Sequence, residues 1–400
     1  MSRVAGLAEQ RFGLFIHWGL YALPARHEWV KNRERLTDRQ YQVYLEHFDP
    51  DLFNPEAWAA AAAEAGMRYM VLTTKHHDGF CLWDSGLTDY SVAATPYGKD
   101  LVGPITRAFR AAGLGVGFYY SLLDWHHPHF PLDELHPDWG RASGEGRDIA
   151  VYRRYLHGQV EELLTRYAPI DTLWFDFSYP TRCEGGKGRA DWGSEELVEL
   201  IRRLSPDTLI NDRLDVPGDF VTPEQYQPFA PLPTTWEACQ TLNGSWGYDR
   251  DNHDFKPVGL LVRMLVDTVS KDGNLLLNVG PNGRGELGPT ALDTLRGIGR
   301  WMRLHKRSIH GAGPSAYTPP PDCRYTQRGD RLYAHVFAWP FDHLHLPDLA
   351  GKVRYAQFLH DASEVPRLDY GDRVPPGTLT LKLPVRRPDV AVPVIELFLD

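Results

Sequence analysis

The sequence has few of the cysteines that build disulfide scaffolds or zinc ribbons. Its 400 residues include four cysteines, at positions 81, 183, 239 and 323, and no two of them are spaced as C-x-x-C. Such spacing excludes both kinds of framework and fits a reducing compartment. Residues 1–10 also lack the apolar stretch of a secretory leader. We therefore expect a cytoplasmic location.

An excess of basic charge is missing as well. The chain has 43 Lys and Arg against 52 Asp and Glu, a net charge of −9, whereas binding to a phosphate backbone needs a basic face. No run approaches the ~18 apolar residues of a membrane span. The glycines at 113, 115 and 117 precede a predicted strand instead of following one, so a dinucleotide-binding turn is missing too. We expect neither nucleic acid nor a membrane as a partner, and no cofactor.

Alternating strand and helix patterns fill residues 1–310. Apolar stretches predict seven strands, with an eighth in an irregular part, at 11–19, 67–74, 115–121, 172–179, 208–210, 234–238 and 274–279. Helices are predicted at 37–48, 54–66, 100–112, 149–167, 194–204, 257–270 and 290–305. This pattern predicts an α/β fold, a (β/α)8-like TIM barrel over residues 1–310, with a doubly wound sheet as the alternative.

The sequence pattern changes after about Gly311. Proline-rich loops separate short strand-like runs at 332–338, 355–359, 378–383 and 395–399, and no helix pattern is present. Residues 311–400 are predicted to form a small antiparallel β-sandwich.

Polar side chains stand where the predicted strands end. An Asp at the end of an apolar strand either caps the next loop, pairs with an Arg, or serves a site. In a barrel all such ends converge on one face, so these residues are expected to share a pocket. They are His17, His76, His77, Tyr119, Asp176 and Arg213.

Two chemistries could use this set. Histidines and an Asp at strand ends can hold zinc for hydrolysis, but the first strand offers a single His, and His127 and His129 lie beyond their strand. Glycoside hydrolysis needs two carboxylates, donors for sugar hydroxyls and aromatic faces. The 12 Trp and 19 Tyr suit a carbohydrate site, although large cores use such rings too. The second chemistry fits better.

Several motifs are specific enough to name a family. Residues 11 to about 310 resemble the α-L-fucosidases of glycoside hydrolase family 29, with the motifs in family order. The stretches that carry the resemblance are Phe-Ile-His17-Trp-Gly, Glu28-Trp29, Lys-His76-His77-Asp-Gly-Phe, Tyr119-Tyr-Ser-Leu-Leu-Asp-Trp, Leu-Trp-Phe-Asp176, Asn-Asp-Arg213, Trp236-Glu237, Ser-Trp246-Gly-Tyr and Gly-Asn274-Leu-Leu-Leu-Asn-Val-Gly-Pro. The resemblance implies a barrel followed by a C-terminal β-sandwich.

The resemblance also implies roles for individual residues. It makes Asp176 the nucleophile of a retaining exo-α-L-fucosidase, which forms a covalent fucosyl-enzyme, with a fucosylated oligosaccharide or glycoconjugate as the partner. Trp246 matches an aromatic near the C5 methyl group of fucose. The other residues matched to the fucose pocket are His17, Glu28, Trp29, His76, His77, Tyr119 and Arg213. Tyr120 is expected to point away from Tyr119 because side chains alternate along a strand.

The acid/base is harder to place because its position varies in the family. The segment from Gly218 to Glu224 resembles the acid/base loop of one branch, so Glu224 is the candidate, with Glu237 and Glu28 as competitors.

An inactive fucose-binding protein and a metal-dependent barrel hydrolase are the alternatives to the whole assignment. Turnover of an aryl fucoside and the effect of a chelator would separate them.

Three departures from the family pattern concern the mouth of the site. Glu28 comes only ten residues after Trp18, where many members carry a longer insertion. Phe177 follows Asp176 where Gly is common, and Leu214 follows Arg213 where an aromatic is common. These departures affect the leaving-group side more than the fucose side.

Overall fold

The computed structural model describes residues 3–400, and helices and strands alternate in it as far as His305. The strands of this part are β1 (Phe12–Ile16), β2 (Tyr69–Lys75), β3 (Gly115–Ser121), β4 (Thr172–Asp176), β5 (Leu209–Ile210), β6 (Trp236–Thr241) and β7 (Gly273–Val279). The helices are α1 (Arg3–Gln10), α2 (Val30–Arg33), α3 (Asp38–His47), α4 (Pro55–Glu64), α5 (Val102–Ala111), α6 (Ile149–Arg166), α7 (Arg189–Trp192), α8 (Ser194–Leu204), α9 (Val258–Ser270) and α10 (Pro289–His305).

The strands β1–β7 form one parallel sheet in the order β5-β4-β3-β2-β1-β7-β6. The segment 220–224 makes isolated parallel bridges to Asn211, which follows β5, and to Trp236 and Cys239 in β6. These bridges connect the two edge strands, so the sheet is curled in the manner of a (β/α)8-like domain. The C-terminal ends of the strands all lie on one side of it.

Large side chains fill the inside of the curled sheet. Every second residue of a strand points inward, and inward residues of all seven strands β1–β7 form one apolar cluster with Phe220 from the segment 220–224. Leu7 of α1 joins this cluster, and its carbonyl accepts a hydrogen bond of 2.7 Å from the Asn274 side chain at the start of β7. The interior is therefore packed, and α1 covers the end opposite the strand C-termini.

The structure moves several predicted strand limits. The fourth strand ends at Asp176 and does not continue to Tyr179, because Phe177 has a φ of 78° and turns the chain out of the extended conformation. The first strand begins after Arg11, whose φ is 61°, and stops before His17. The strand predicted at 234–238 lies at Trp236–Thr241, so Glu237 lies near its beginning.

All seven predicted helices are present, and the limits of each lie within two residues of the prediction. The Asn54 side chain accepts a hydrogen bond from the Ala57 amide, and Pro55 occupies the first position of α4. Thr37 and Gln40 form a capping box before α3. The helix α1 was not predicted, because its eight residues make little more than two turns and include Gly6.

The C-terminal part consists of antiparallel strands, as expected. They are β8 (Cys323–Arg328), β9 (Arg331–Val336), β10 (His343–Leu346), β11 (Val353–Phe358), β12 (Arg367–Leu368), β13 (Leu379–Lys382) and β14 (Val394–Leu399). Two sheets, β10-β13-β12 and β11-β14-β9-β8, share one apolar cluster. The prediction missed β8, β10 and β12, which are short or carry several polar residues.

Polar contacts join this part to the helices of the parallel sheet. The indole of Trp301 in α10 donates a 2.7 Å hydrogen bond to the carbonyl of Val392, and Arg307 pairs with the buried Glu396 of β14 at 3.2 Å. Within residues 3–400, no helix has the length and apolar character needed to cross a membrane.

Candidate active site

A narrow pocket lies at the C-terminal ends of the strands and opens into a wider cleft. The inner pocket measures about 50 Å³ and the outer cleft about 930 Å³. All ten site residues predicted from the sequence line the inner pocket. Those that also border the cleft are Glu28, Trp29, Asp176, Arg213, Glu224 and Trp246. The convergence expected from strand ends is therefore present.

Asp176, the last residue of β4, lies where the pocket meets the cleft and is 9% exposed. Its Oδ1 accepts a 2.7 Å hydrogen bond from Nη1 of Arg213, and its Oδ2 accepts one of 2.8 Å from the Tyr119 hydroxyl. Burial alone would raise the pKa of Asp176, but Arg213, His77 and Tyr119 outweigh it and hold that pKa below the ordinary value. The side chain is thus kept as a carboxylate aimed into the pocket.

Arg213 also contacts the second predicted carboxylate. Its Nη2 lies 2.9 Å from Oε2 of Glu224, while its Nε donates to the Thr222 hydroxyl at 2.9 Å and its guanidinium lies 4.5 Å from the centre of the Trp174 ring. These contacts fix the guanidinium in one plane. Asp176 and Glu224 therefore share one rigid cation at the mouth of the pocket.

The hydrogen-bond network assigns the tautomers of two histidines. The Ser121 hydroxyl donates to the Leu123 carbonyl at 2.6 Å, so its oxygen accepts from Nδ1 of His77 at 2.7 Å. The Asn278 amide donates to the Trp246 carbonyl, and its oxygen accepts from Nδ1 of His17 at 2.6 Å. Burial lowers the pKa of His77 to about 4 and that of His17 to about 3. Both rings are neutral at pH 7, and both keep an unprotonated Nε2.

Two further polar atoms of the pocket, Oε1 of Glu28 and Nδ1 of His76, are buried without a hydrogen bond in the described part of the chain. Oε1 of Glu28 does lie 3.0 Å from Nδ1 of His27, but that nitrogen already accepts from the Trp29 amide. The other oxygen of Glu28 accepts a 2.8 Å hydrogen bond from the Gly247 amide. Burial raises the pKa of Glu28 to about 7, although this amide opposes the shift. An unpaired buried polar atom costs stability unless a ligand satisfies it.

Glu237 and Tyr120 lie outside the pocket. Glu237 accepts hydrogen bonds from the Tyr69 hydroxyl and, at 3.1 Å, from the Trp174 indole in the packed interior. With both oxygens engaged and the side chain 1% exposed, it has no access to a ligand. The Tyr120 hydroxyl donates to Gln159 of α6 at 2.8 Å, so it points away from Tyr119, as strand alternation predicts.

Sequence reasoning missed the inner wall of the pocket, which is formed by Phe15, Trp174 and Cys239. The ring of Phe177 lines the pocket as well. Phe15 and Trp174 stand two residues before His17 and Asp176, so they point to the same side of their strands. The Tyr119 and Trp174 rings stack with centres 5.7 Å apart. The alternation of side chains along a strand, with every second residue on the same side, was the signal that could have identified Phe15 and Trp174.

Across residues 3–400, no group of three or more His, Cys, Asp or Glu side chains has an arrangement that could hold a metal ion. His127 and His129 lie apart from the pocket, and the His127 ring instead packs against Tyr155 with centres 4.4 Å apart.

Comparison with known proteins decides the family. The model of the α-L-fucosidase family matches residues 5–307. The chain belongs to the α-L-fucosidase family. It is thus a glycoside hydrolase of family 29, as its motifs indicated, and its fucosidase relatives support a fucosylated substrate.

Relatives of this family match most of the chain. An α-L-fucosidase of Dictyostelium discoideum is 30% identical over 83% of this chain and 77% of its own length. The solved α-L-fucosidase isoenzyme 1 of Paenibacillus thiaminolyticus is 46% identical, with a TM-score of 0.95, over 100% of this chain and 99% of that one. A family 29 α-L-fucosidase of Bacteroides thetaiotaomicron, solved as a trapped covalent intermediate with 2-fluoro-fucosyl fluoride, is 26% identical, with a TM-score of 0.88, over 100% and 96% of the two chains.

Proposed function

We propose that this fucosidase is an exo-acting, retaining enzyme that removes terminal α-L-fucose from oligosaccharides or glycoconjugates through a covalent bond to Asp176. The observation that carries the proposal is the position of Arg213, which contacts Asp176 at 2.7 Å and Glu224 at 2.9 Å beside the same pocket. Retaining glycosidases need two carboxylates close together on either side of one bond. The covalent intermediate trapped in the Bacteroides thetaiotaomicron relative supports the same chemistry.

In the first step the Asp176 carboxylate attacks the anomeric carbon. A bond forms between an Asp176 oxygen and C1 of fucose as the bond from C1 to the leaving-group oxygen breaks, and Glu224 gives its proton to that oxygen. Arg213 and Tyr119 hold Asp176 ionised and in one orientation. In the second step Glu224 takes a proton from water, whose oxygen attacks C1 and releases Asp176.

Glu224 has to change partners during this cycle. Its contact with Arg213 suits the carboxylate, which is the form that accepts a proton from water. To act as the acid, it has to carry a proton and leave the guanidinium. The side chain is 40% exposed, so it has room to move and exchange protons with solvent. The competitor Glu237 lacks that freedom because it is buried and doubly hydrogen-bonded.

The buried acceptors of the pocket match the hydroxyl groups of fucose. With Nδ1 protonated, His17 and His77 present Nε2 as an acceptor. Oε1 of Glu28 lies 3.0 Å from Nδ1 of His27 but accepts no hydrogen bond, so it would be a third acceptor. A sugar hydroxyl that donates to each of these atoms would satisfy groups that the free enzyme leaves unpaired. His76 supplies a further unpaired ring nitrogen.

One side of the inner pocket, which we call the aromatic wall, is formed by the rings of Trp246, His17 and Phe15, and it fits the methyl group of a 6-deoxy sugar. Trp246 lies 5.1 Å from the His17 ring and 5.9 Å from the Phe15 ring, measured between ring centres. An apolar surface at this point would favour a methyl over a hydroxymethyl group, since the latter would lose hydrogen bonds on burial. Because the inner pocket ends at Phe15, Trp174 and Cys239, only the end of a sugar chain would enter.

The remaining assignments are proposals of the same kind. We infer that residues 220–224 serve as the eighth strand of a closed barrel, since they bridge both edge strands of the sheet. The catalytic domain would span 1–310 and the sandwich 311–400, which would support α9 and α10 from outside. A cytoplasmic location stays a prediction from the sequence.

The stereochemistry of the product tests the mechanism. Hydrolysis of an aryl α-L-fucoside, followed by proton NMR within the first minutes, should show α-L-fucose before mutarotation. If β-L-fucose appears first, the reaction inverts and Asp176 is not a nucleophile. If no turnover occurs while fucose still binds, the inactive fucose-binding alternative is correct.

A further inference from the structure

Phe177 adopts a backbone conformation that residues other than glycine rarely take. Its φ is 78°, in the left-handed region, where an L-residue with a β-carbon is disfavoured by about 1–2 kcal/mol. It directly follows Asp176. Because glycine would make the same turn without this cost, the aromatic side chain needs an explanation of its own.

The Phe177 ring stands at the boundary between the inner pocket and the outer cleft, and it lines both. Its centre lies 4.7 Å from the His77 ring, in an edge-to-face arrangement, and 5.3 Å from the Trp29 ring. The ring therefore stands next to Asp176, where the inner pocket opens into the outer cleft. It thus lengthens the aromatic wall from the fucose pocket into the cleft.

Arg182 completes this wall. Its guanidinium carbon lies 5.3 Å from the centre of the Phe177 ring, which is within the range of a cation–π contact. The side chain is exposed and lines the outer cleft but not the inner pocket. Among the described residues no carboxylate lies within 4.0 Å of its nitrogens. Its donors are therefore available to a ligand in the cleft.

A buried ion pair anchors the loop that carries both residues. Asp133, which is fully buried, accepts hydrogen bonds from the Tyr179 hydroxyl at 2.7 Å and from the Lys187 ammonium group. The contacts fix the loop on both sides of Arg182. Strain at a single residue persists where surrounding structure over-determines it, and such strain is concentrated at functional sites.

We propose that Phe177 and Arg182 form a leaving-group subsite that binds the sugar to which the terminal fucose is attached. The Phe177–Arg182 wall packs against that sugar ring, and Arg182 donates hydrogen bonds to its oxygens. The ligand class is an oligosaccharide leaving group, as opposed to a simple alcohol or halide. This inference rests on the proposed function, since it presupposes that fucose occupies the inner pocket.

The test compares two substrates that share fucose and differ in the leaving group. α-L-Fucosyl fluoride has a leaving group too small to reach Arg182, whereas a fucosyl disaccharide extends into the cleft. The disaccharide is the one the parent hydrolyses fastest among the α1,2, α1,3, α1,4 and α1,6 linkages. The quantity measured is the ratio of kcat/KM for the disaccharide to kcat/KM for the fluoride, because kcat/KM covers only the steps up to departure of the leaving group.

Arg182→Ala and Phe177→Gly should each lower this ratio about tenfold, the scale of one lost stacking or hydrogen-bond contact. Phe177→Tyr keeps the ring and should keep the ratio. Arg189→Ala is the matched control, since Arg189 is an exposed arginine of the same region that pairs with Glu195 and does not line the cleft. Its ratio should equal that of the parent.

An unchanged ratio in both Arg182→Ala and Phe177→Gly would overturn the subsite, even if overall activity fell, because it would show that the two residues only support the fucose pocket. If the parent hydrolyses neither substrate, the proposed function is wrong, and the subsite is wrong with it. If the parent hydrolyses the fluoride and the ratio is unchanged in the variants, the proposed function is retained and the subsite is wrong.

Discussion

Nη1 of Arg213 lies 2.7 Å from Oδ1 of Asp176, and this contact does most to oppose the effect of burial on that carboxylate. Replacing Arg213 by Lys keeps one positive charge but removes the planar fork that reaches Asp176 and Glu224 together. The pKa of Asp176 should rise, so the acid limb of the kcat/KM profile should move to higher pH.

We expect kcat/KM for Arg213→Lys to fall about a hundredfold, which corresponds to about 2.7 kcal/mol. The measurement is a pH profile of kcat/KM with an aryl fucoside. A uniform loss at every pH, with the acid limb unmoved, would show that Arg213 does not set the ionisation of Asp176.

Adjacent tyrosines offer a matched pair of variants. Tyr119 donates to Asp176, whereas Tyr120 donates to Gln159 on the other face of the strand. Tyr119→Phe should lower kcat/KM about tenfold or more, since a hydrogen bond to a charged group contributes about 1.5–3 kcal/mol. Tyr120→Phe should leave kcat/KM near that of the parent and lower the free energy of unfolding by about 1 kcal/mol. Equal effects on activity would contradict the site geometry.

The proposed acid/base role of Glu224 can be tested with substrates that differ in their leaving group and with azide. Without a general acid, Glu224→Ala should slow a substrate with a poor leaving group by about a hundredfold or more, and an activated aryl fucoside far less. Azide needs no base, so it should restore turnover of the activated substrate and yield a fucosyl azide. Glu237→Gln is the control, because that side chain is buried outside the pocket. Equal loss on both substrates without rescue would move the acid/base role to another residue.

A buried histidine in the C-terminal part should make the free energy of unfolding depend on pH. Burial lowers the pKa of His335 to about 3, while its unfolded value is about 6.5. Between these values the unfolded chain binds the proton and the folded chain does not, so stability is lost as the pH falls below 6.5. One such group should cost about 2 kcal/mol between pH 7 and pH 5.

Urea unfolding of the parent and of His335→Gln at both pH values measures this effect. The change in unfolding free energy between pH 7 and pH 5 should be smaller by about 2 kcal/mol in the variant. A change equal to that of the parent would show that His335 is not buried in its neutral form. The test is independent of the active site, because His335 lies in β9 and its ring contacts the Thr326 hydroxyl at 2.9 Å, outside the pocket.

The position of the site could be predicted from the sequence because parallel strands bring their C-terminal ends together. His17, Tyr119 and Asp176 lie at or near the C-terminal ends of different strands, so their proximity could be predicted from the order of elements alone. The family motifs then supplied the proposed roles. The division into a strand–helix part and an antiparallel part followed from the loss of helix patterns after residue 311.

Other features depend on contacts that no local pattern encodes. The tautomers of His17 and His77 are set by Asn278 and Ser121, which come from other strands. The turn at Phe177 contradicts the β preference of an aromatic residue, so the fourth strand was drawn too long. Residues 220–224 make only isolated bridges and include Pro223, which lacks a backbone N–H for a strand ladder, so an eighth strand was expected without a position.

Trapping the covalent intermediate tests the central claim most directly. The enzyme is incubated with 2-fluoro-fucosyl fluoride, digested, and the peptides are sequenced by mass spectrometry, with Asp176→Asn as the control. The 2-fluoro group slows both steps and the fluoride accelerates the first, so the intermediate should accumulate. We predict one 2-fluoro-fucosyl group on Asp176 and none in the variant. Attachment to Glu28 or Glu224, or turnover of the probe without any adduct, would contradict the assignment of Asp176 as the nucleophile.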